Sequence, residues 1–203
     1  MRLVWTPFWR SVSVLVLVSA PASAQVRDAL PKNKAEATSA HRADELTLAG
    51  LRPGRDAIAK AERLFTKPSA IGDSGASQTW RDDCHRELLS IIADADGTIL
   101  EVRVSEADAS SDSKHECANT SRSAWVTGHG LVIGDSCFRV LGLYGQPGSR
   151  GPSTKDGQQL ELFYYAFDWA GPDVPQVMTV LCRPDKDGKT GRVVEITLAA
   201  PSL

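Results

Sequence analysis

GLVIGDSCFRVLGLYGQP, residues 130–147, shares its opening and its close with an earlier stretch, GLRPGRDAIAKAERLFTKP, residues 50–68. Both begin with Gly-Leu-x-x-Gly, continue with apolar residues at helical spacing and end at a proline. Their first glycines lie 80 positions apart. A glycine turn, a periodic apolar face and a closing proline are typical of a turn that leads into a short helix. The sequence therefore predicts two equivalent helical segments.

Two further matches follow these stretches in the same order. DADG at 94–97 returns as DKDG at 185–188, and ILEVRV at 99–104 corresponds to VVEITL at 193–198. Matches that keep their order along the chain predict an internal duplication. Each Asp-x-Asp-Gly lies between two strand-like runs, where it is a signal for a hairpin turn.

The second helical segment indicates how the unit is built. Asp135 or Ser136 is a natural N-cap, and Gly145 can end the helix before Pro147. The residues that recur at helical spacing and form its apolar face are Cys137, Val140, Leu141 and Tyr144. The first copy places its helix at residues 56–65.

Three strand-like runs come after each helix. They lie at 79–82, 87–93 and 98–104 in the first copy and at 160–169, 176–182 and 192–198 in the second. We therefore expect an α+β fold of two tandem repeats, each a short helical segment packed on an antiparallel β-meander. Whether the two sheets are continuous stays open. The polar stretch 148–159 is expected to be a loop.

Apolar and polar residues alternate on the last strand of each copy, so one set should face the helix and the other the open side of the sheet. The apolar sets are Leu100, Val102 and Val104 in the first copy and Val194, Ile196 and Leu198 in the second. Residues 160–169 carry apolar or aromatic residues on both faces. Either the aromatic stripe is core, or it lies open as a recognition surface that Trp80 extends. The stripe consists of Phe163, Tyr165, Phe167 and Trp169.

An export signal is predicted at residues 1–24. Arg2 and Arg10 supply positive charge, residues 11–19 form an apolar run, and a small-x-small cleavage site precedes Gln25. That run is about half of the roughly 20 residues that a spanning helix needs. We therefore expect cleavage, no membrane span in the mature chain, and an exported protein that is periplasmic or secreted.

Polar composition sets the remaining boundaries. Residues 25–46 are expected to be a flexible N-terminal tail, because so few large apolar residues cannot offset the entropy of ordering. A polar linker at 105–127 separates the first repeat, 47–104, from the second, 128–200.

The charge of the mature chain argues against two classes of partner. Of 23 Lys and Arg residues two lie in the signal, so 21 remain against 25 Asp and Glu. The charges are interspersed and form no basic stripe that could follow phosphates. We therefore expect neither nucleic acid nor an anionic membrane surface as a partner.

An even number of cysteines in an oxidising compartment predicts two disulfides among Cys84, Cys117, Cys137 and Cys182. Cys137 lies on the apolar helix face and Cys182 late in the middle strand run. Their counterparts in the first copy, Ala57 and Ile91, are both apolar. Two cysteines that occur together at facing positions predict a Cys137–Cys182 bridge. By elimination, Cys84 pairs with Cys117.

Gly134-Asp135-Ser136 resembles the nucleophile block of GDS-type esterases, and Asp82-x-x-His85 has the acid and base that such enzymes use. However, this acid-base pair precedes the serine instead of following it, and the chain has no room for an α/β sheet. A small serine hydrolase is therefore the least favoured alternative. We expect a protein that is not an enzyme.

Two patterns contain metal-ligand residue types. An EF-hand loop with the Asp-x-Asp-Gly glycine at its sixth position would begin and end, in both copies, at residues that are not acidic. Cys84-His85 with His115-x-Cys117 has the residue types of a zinc site, but an oxidising compartment favours a disulfide. We expect no metal and no other cofactor.

The order Gly-Leu-x-x-Gly-x-Ser, helix, Tyr144-Gly145-x-Pro147, meander, Asp-x-Asp-Gly and Val-x-Glu-Ile-x-Leu resembles two known groups of repeats. These are the repeats of β-lactamase inhibitory proteins and the small outer-membrane assembly lipoproteins of the SmpA/OmlA type. The resemblance covers about residues 48–104 and 130–199. It implies a helical segment on a short antiparallel sheet and binding through contact loops and a sheet face. Unlike the lipoproteins, the chain has no cysteine near Gln25.

We therefore expect an exported, non-catalytic protein-binding module that acts through the open face of its sheet. The expected binding surface consists of Trp80, Tyr165 and Trp169, and the expected partner is another exported or cell-envelope protein. A structural factor of a cell-envelope assembly is the alternative.

Overall fold

The computed structural model describes residues 44–65, 67–72, 75–108, 123–167, 176–185 and 191–200. The predicted signal and nearly all of the predicted tail lie outside the described residues, so both stay predictions. Nowhere in the described part is a helix long and apolar enough to cross a membrane.

The described part of the chain contains two helices and eight strands. The helices, of eight residues each, are α1 (Ile58–Phe65) and α2 (Cys137–Tyr144). The strands are β1 (Ala70–Ile71), β2 (Ser77–Asp82), β3 (Glu87–Ala93), β4 (Ile99–Glu106), β5 (Ser149–Lys155), β6 (Gln158–Phe167), β7 (Gln176–Pro184) and β8 (Gly191–Ala199).

All eight strands form one antiparallel sheet in the order β1-β2-β3-β4-β8-β7-β6-β5. The expectation of an α+β fold with two helix-plus-meander repeats is wrong, because one large sheet with only two short helices makes a mainly β fold. At the centre of the sheet β4 pairs with β8, which places Val102 opposite Leu198 and Val104 opposite Ile196. This pairing gives both strands a hydrogen-bonding partner on each side and extends one apolar surface across the join.

The main core lies on one face of this sheet, beneath the two helices. Val102, Val104, Ile196 and Leu198 are fully buried there, as their alternation with polar residues predicts. The helices contribute Ala61, Cys137, Val140 and Tyr144 to the same cluster.

Two β-bulges change the predicted faces. β4 carries one residue more than β3 at Leu100, which is 36% exposed, and the fully buried Ile99 takes its place in the core. β8 carries one residue more than β7 at Val194, which packs on Leu160 and Leu181 apart from the main core. The expected positions of Leu100 and Val194 are therefore wrong, because an extra residue in one strand breaks the two-residue alternation.

Helix α2 begins and ends as its sequence predicts. Ser136 is the N-cap, and its hydroxyl accepts a hydrogen bond of 3.3 Å from the backbone N–H of Phe138. Gly145 ends the helix with a φ of 73°, a left-handed conformation that favours glycine, and its N–H donates to the carbonyl of Leu141.

Strands β1 and β5 are not indicated by the sequence. β5 occupies the polar stretch that was expected to be a loop, and it pairs only with β6, at one edge of the sheet. An edge strand has a hydrogen-bonding partner on one side only, so Pro152, which has no N–H, is tolerated there.

The first Asp-x-Asp-Gly forms the predicted turn, between β3 and β4. Oδ1 of Asp94 accepts hydrogen bonds from the N–H groups of Asp96 (3.0 Å) and Thr98 (2.8 Å), and Gly97 has a φ of 82°. The second copy of this motif lies largely outside the described residues.

The predicted disulfide between Cys137 and Cys182 is confirmed. It ties the first residue of α2 to β7, with the two Cα atoms 6.2 Å apart, and both cysteines belong to the main core. Cys84 is also disulfide-bonded. Its predicted partner, Cys117, lies outside the described residues.

Candidate functional site

An open cleft of about 480 Å³ lies on the sheet face opposite the helices. Ser105 and Glu195 line it, and they alternate along their strands with the core residues Val104 and Ile196. The end of β4, the turn between β5 and β6, and the ends of β7 and β8 form its walls. The cleft therefore crosses the join between the two meanders.

Part of the mainly polar cleft lining is apolar, and we call this part the floor. Leu160 and Val194 line it, and they pack with Leu181 and the half-buried Leu162 in a small cluster separate from the main core. Val194 reaches this face because of the bulge in β8. An apolar floor gives a ligand a surface to bury on the sheet face that carries no described helix.

Charged side chains form the rim of the cleft. Arg183 contacts Glu106 at 2.6 Å, and Lys155 pairs with Glu195. Arg183 and Glu106 are 45% and 37% exposed, so their pair contributes little to stability. Lys155 is 40% exposed, whereas its partner Glu195 is only 10% exposed. The exposed groups leave charges of both signs beside the apolar floor.

Two of the three residues predicted for the binding surface lie on the other face of the sheet. Trp80 is 3% exposed, and its ring packs edge-to-face against Phe65 with centroids 5.9 Å apart. Tyr165 is fully buried, with its ring 5.8 Å from that of Tyr144. The prediction that Trp80 and Tyr165 lie on the open face is therefore wrong, because both rings pack in the main core beneath the helices. Trp169 lies outside the described residues.

The described part of the aromatic stripe in β6 is core. Phe163, Tyr165 and Phe167 are all at most 2% exposed. The opposite face of the same strand supplies Leu160 to the cleft floor and Leu162 to the small cluster behind it. Both faces of β6 are apolar because one faces the main core and the other the small cluster.

Sequence reasoning missed a buried glutamate, Glu45, which is 1% exposed. It was assigned to the tail, yet it connects the beginning of the described chain to residues 127–129. Its two carboxylate oxygens accept six hydrogen bonds of 2.7–3.1 Å. The donors are the backbone N–H groups of Leu46, Thr47, Gly128 and His129, Nδ1 of His129, and the hydroxyl of Tyr144.

This environment keeps Glu45 ionised. Burial raises its pKa, but hydrogen bonds from Tyr144, Thr47 and His129 outweigh that effect and hold the pKa below its usual value. Burial raises the pKa of Tyr144, so its hydroxyl stays protonated and able to donate. At Gly128 a Cβ atom would stand 2.6 Å from Oε1 of Glu45 and 2.9 Å from Oγ1 of Thr47, so any other residue there would displace the Glu45 carboxylate or the backbone.

A second buried glutamate, Glu87 of β3, is 3% exposed and binds residues of the predicted linker. Its Oε2 accepts a 2.5 Å hydrogen bond from the hydroxyl of Ser123, which in turn accepts the N–H of Trp125 at 3.0 Å. Burial raises the pKa of Glu87, against the opposing effect of the Ser123 hydrogen bond. Trp125 packs edge-to-face on Phe65 with centroids 6.3 Å apart.

No local pattern distinguishes these two glutamates from the other charged residues of the sequence. Glu45 follows a polar stretch, and residues 123–127 end another. His129 is 39% exposed and hydrogen-bonds Glu45. The contacts of Glu45 with Gly128 and His129 join residues 83 and 84 positions apart, and that of Glu87 with Ser123 spans 36 positions, beyond the reach of any local signal.

The residues considered for hydrolase chemistry have structural roles. Ser136 caps α2. Asp82 contacts Nδ1 of His85 at 2.8 Å and accepts the backbone N–H groups of Cys84 and His85, closing the turn between β2 and β3. Burial raises the pKa of Asp82, but the hydrogen bonds from His85 outweigh it and lower that pKa below its usual value.

Among the described residues, no group of three or more His, Cys, Asp or Glu side chains is arranged to hold a metal ion. Two members of the considered zinc pattern, His115 and Cys117, lie outside the described residues. The other cysteine of that pattern, Cys84, is disulfide-bonded.

Comparison with known proteins yields one distant likeness. The chain matches no protein family, and no curated protein is significantly similar to it. It is similar to the crystal structure of a DUF4309 family protein, YjgB, from Bacillus subtilis, with a TM-score of 0.42 and 13% identity over 75% of this chain and 83% of that one. A likeness of this degree carries no functional argument. The resemblance to β-lactamase inhibitory proteins and SmpA/OmlA lipoproteins stays a prediction.

Proposed function

We propose that this chain is an exported, non-catalytic protein-binding module that contacts its partner through the cleft on the open face of the sheet. The observation that carries this proposal is the combination of an apolar floor and a rim with both signs of charge on the face opposite the helices. Protein interfaces have this anatomy, with a desolvated apolar centre and a polar rim.

The disulfide supports the exported location, since disulfides persist in oxidising compartments. The partner is an exported or cell-envelope protein that presents an apolar side chain flanked by charges. The apolar side chain would cover Leu160 and Val194. The flanking charges would meet Lys155, Arg183 and the acidic groups beside them.

The test compares two arginines that lie on opposite faces of the molecule, at the cleft and on α2, but are equally exposed and each paired with a carboxylate. Arg183 on the cleft rim is 45% exposed and paired with Glu106, while Arg139 on α2 is 44% exposed and paired with Asp135. The parent protein, Arg183→Glu and Arg139→Glu serve as baits for envelope proteins and culture medium. Captured proteins are identified by mass spectrometry, and binding is then measured between purified components.

We expect a partner that binds the parent and Arg139→Glu but binds Arg183→Glu at least about tenfold more weakly, as for a disrupted charge contact at an interface. Equal binding by all three would place the contact outside the cleft. Constitutive co-purification with a large envelope assembly, independent of the cleft, would instead favour the structural role. Covalent labelling of Ser136 by a serine-reactive probe would overturn the non-catalytic assignment.

A further inference from the structure

The described chain resumes at residue 123, and we call residues 123–130 the strap. The strap lies next to both buried glutamates. Glu87 holds one end through Ser123, and Glu45 holds the other through Gly128 and His129. Between these ends the backbone carbonyl of Val126 accepts the N–H of Ala49. The strap is therefore attached at each end by a different buried carboxyl group.

The Glu45 end requires the negative charge. All six hydrogen bonds to this carboxylate come from donors, and four of the donors are backbone N–H groups that cannot reverse their role. A proton on Oε2 would require the Tyr144 hydroxyl or Nδ1 of His129 to accept, and that group would then give up its own hydrogen bond to Glu45. The backbone N–H groups cannot reverse, and they would face a neutral carboxyl group, which is a weaker acceptor. The N–H of Gly128 also reaches the carbonyl of Thr47, so the loss falls mainly on the N–H groups of Leu46, Thr47 and His129.

The Glu87 end tolerates loss of the charge. Its described partner is the Ser123 hydroxyl, which can accept as well as donate. On protonation the hydrogen bond can reverse, with the carboxyl group donating to the Ser123 oxygen. That oxygen has a second lone pair for the N–H of Trp125. The two ends of the strap therefore respond differently to acid.

We propose that the strap is an acid-released latch: protonation of Glu45 frees its Gly128–His129 end, whereas its Ser123 end stays attached to Glu87. Release uncovers Leu48 and Tyr144, both fully buried when the latch is closed, because Leu48 pairs with Thr127 and the hydroxyl of Tyr144 contacts both Glu45 and Thr127. This proposal is independent of the proposed binding cleft, which lies on the other face of the sheet.

The titratable groups around each carboxyl group define the pH window. Tyr144 of α2 and His129 of the strap face Glu45, while His85 and Asp82 act on Glu87. The pKa of Glu45 is lowered in the folded protein, so its stabilisation is present above the usual glutamate value and is lost as pH falls through the folded pKa. The pKa of Glu87 is raised, so acidification first relieves the cost of its buried charge. As pH falls, Glu87 should therefore be protonated before Glu45, and only the Glu45 end of the strap should open.

Amide hydrogen exchange, measured by NMR on the purified oxidised protein from neutral pH downward, tests the latch. Between the usual glutamate value and the folded pKa of Glu45, the protection factor of the His129 amide should fall about tenfold per pH unit, the slope for uptake of one proton, and it should level off below the folded pKa. The Trp125 amide should keep its protection over the same interval. A parallel fall at both amides would mean global unfolding and would overturn the proposal.

Two variants test which of the two glutamates takes up the proton that releases the strap. Glu45→Gln should lower the protection of His129 at neutral pH and abolish its pH slope, because the amide group brings donors to a site made of donors. Glu87→Gln should retain the parent's slope at His129. A parent-like slope in Glu45→Gln would overturn the proposal. If Glu45→Gln does not fold, the parent protein alone tests the proposal. Loss of protection at the His129 amide but not at the Trp125 amide supports it, and parallel loss at both contradicts it.

Discussion

The two halves of the sheet hold their helices in different ways. In the half that ends with β8, the disulfide from Cys137 to Cys182 ties α2 directly to β7. In the half that ends with β4, α1 is held by its last residue, Phe65, whose ring packs edge-to-face on Trp80 and Trp125. Both halves use aromatic packing, since Tyr144 of α2 contacts Tyr165 and Phe167, but among the described residues only the half that ends with β8 adds a covalent bond from its helix to its strands.

The difference matters because Trp125 does not belong to β1–β4 or α1. It comes from the strap, and the hydrogen bonds that join it through Ser123 to Glu87 of β3 position it. A disulfide acts largely by restricting the unfolded chain, so it does not depend on neighbouring packing. An aromatic contact depends on every element that positions its rings. The stability of the half that ends with β4 is therefore expected to be the more sensitive to substitutions elsewhere in the chain.

The largest effect should come from removing the covalent bond. The double substitution Cys137→Ala/Cys182→Ala opens a loop with a sequence separation of 45 residues and should lower the free energy of unfolding by about 4 kcal/mol. Denaturant unfolding under oxidising conditions measures it. A loss of less than about 1 kcal/mol would mean that packing alone holds α2, and the contrast between the halves would disappear.

The next largest effect should come from the aromatic contact. Trp125→Ala should lower the free energy of unfolding by about 3 kcal/mol, because it removes a 7% exposed ring from the packing of Phe65. Phe138→Ala, at a 61% exposed position on α2, is the control and should change stability by less than about 0.5 kcal/mol. Similar losses for the two variants would refute a supporting role for Trp125.

A smaller effect is expected at the contact between Tyr144 and Glu45. Tyr144→Phe removes a 2.7 Å hydrogen bond to the charged Glu45 and a 2.8 Å hydrogen bond with Thr127, and it should cost about 2 kcal/mol. Tyr165→Phe removes a 3.0 Å hydrogen bond to the neutral carbonyl of Gly145 and should cost about 1 kcal/mol. Unfolding in denaturant at neutral pH compares the two. The reverse order would argue that the Glu45 charge does not strengthen its hydrogen bond.

The smallest effect should be at the join between the halves. Arg183 of β7 and Glu106 of β4 form an exposed ion pair across it, so Arg183→Ala should change the free energy of unfolding by less than about 0.5 kcal/mol. Thermal unfolding at low and at moderate salt measures this. A loss above about 1 kcal/mol that salt removes would show that charge, besides strand pairing, couples the two halves.

Features that depend on nearby residues could be predicted. The N-cap Ser136 and the closing Gly145 mark the ends of α2, and Asp94 and Gly97 mark a turn, because each acts on a backbone group a few positions away. The disulfide could also be predicted, since Cys137 and Cys182 stand at positions that match the apolar residues Ala57 and Ile91 of a similar stretch earlier in the sequence.

Features that depend on pairing between distant segments could not be predicted from the sequence. The bulges at Leu100 and Val194 arise where one strand carries a residue more than its neighbour, which no single strand reveals. The burial of Trp80 and Tyr165 follows from which sheet face the helices cover. The cleft depends on both, because Leu160 and Val194 meet only once β6, β7 and β8 are in register.

The sequence by itself determined the two helices, the caps of α2, most of the strands, the Asp94 turn and the Cys137–Cys182 bridge. These follow from backbone geometry and from alternation within short segments. Only the tertiary structure decided that β4 and β8 join two meanders into one sheet and that Glu45 and Glu87 hold the strap. It also decided that the open face carries a cleft with an apolar floor. The physical reason is that burial and hydrogen bonding of these groups depend on partners far away in the chain, which the folded arrangement alone brings together.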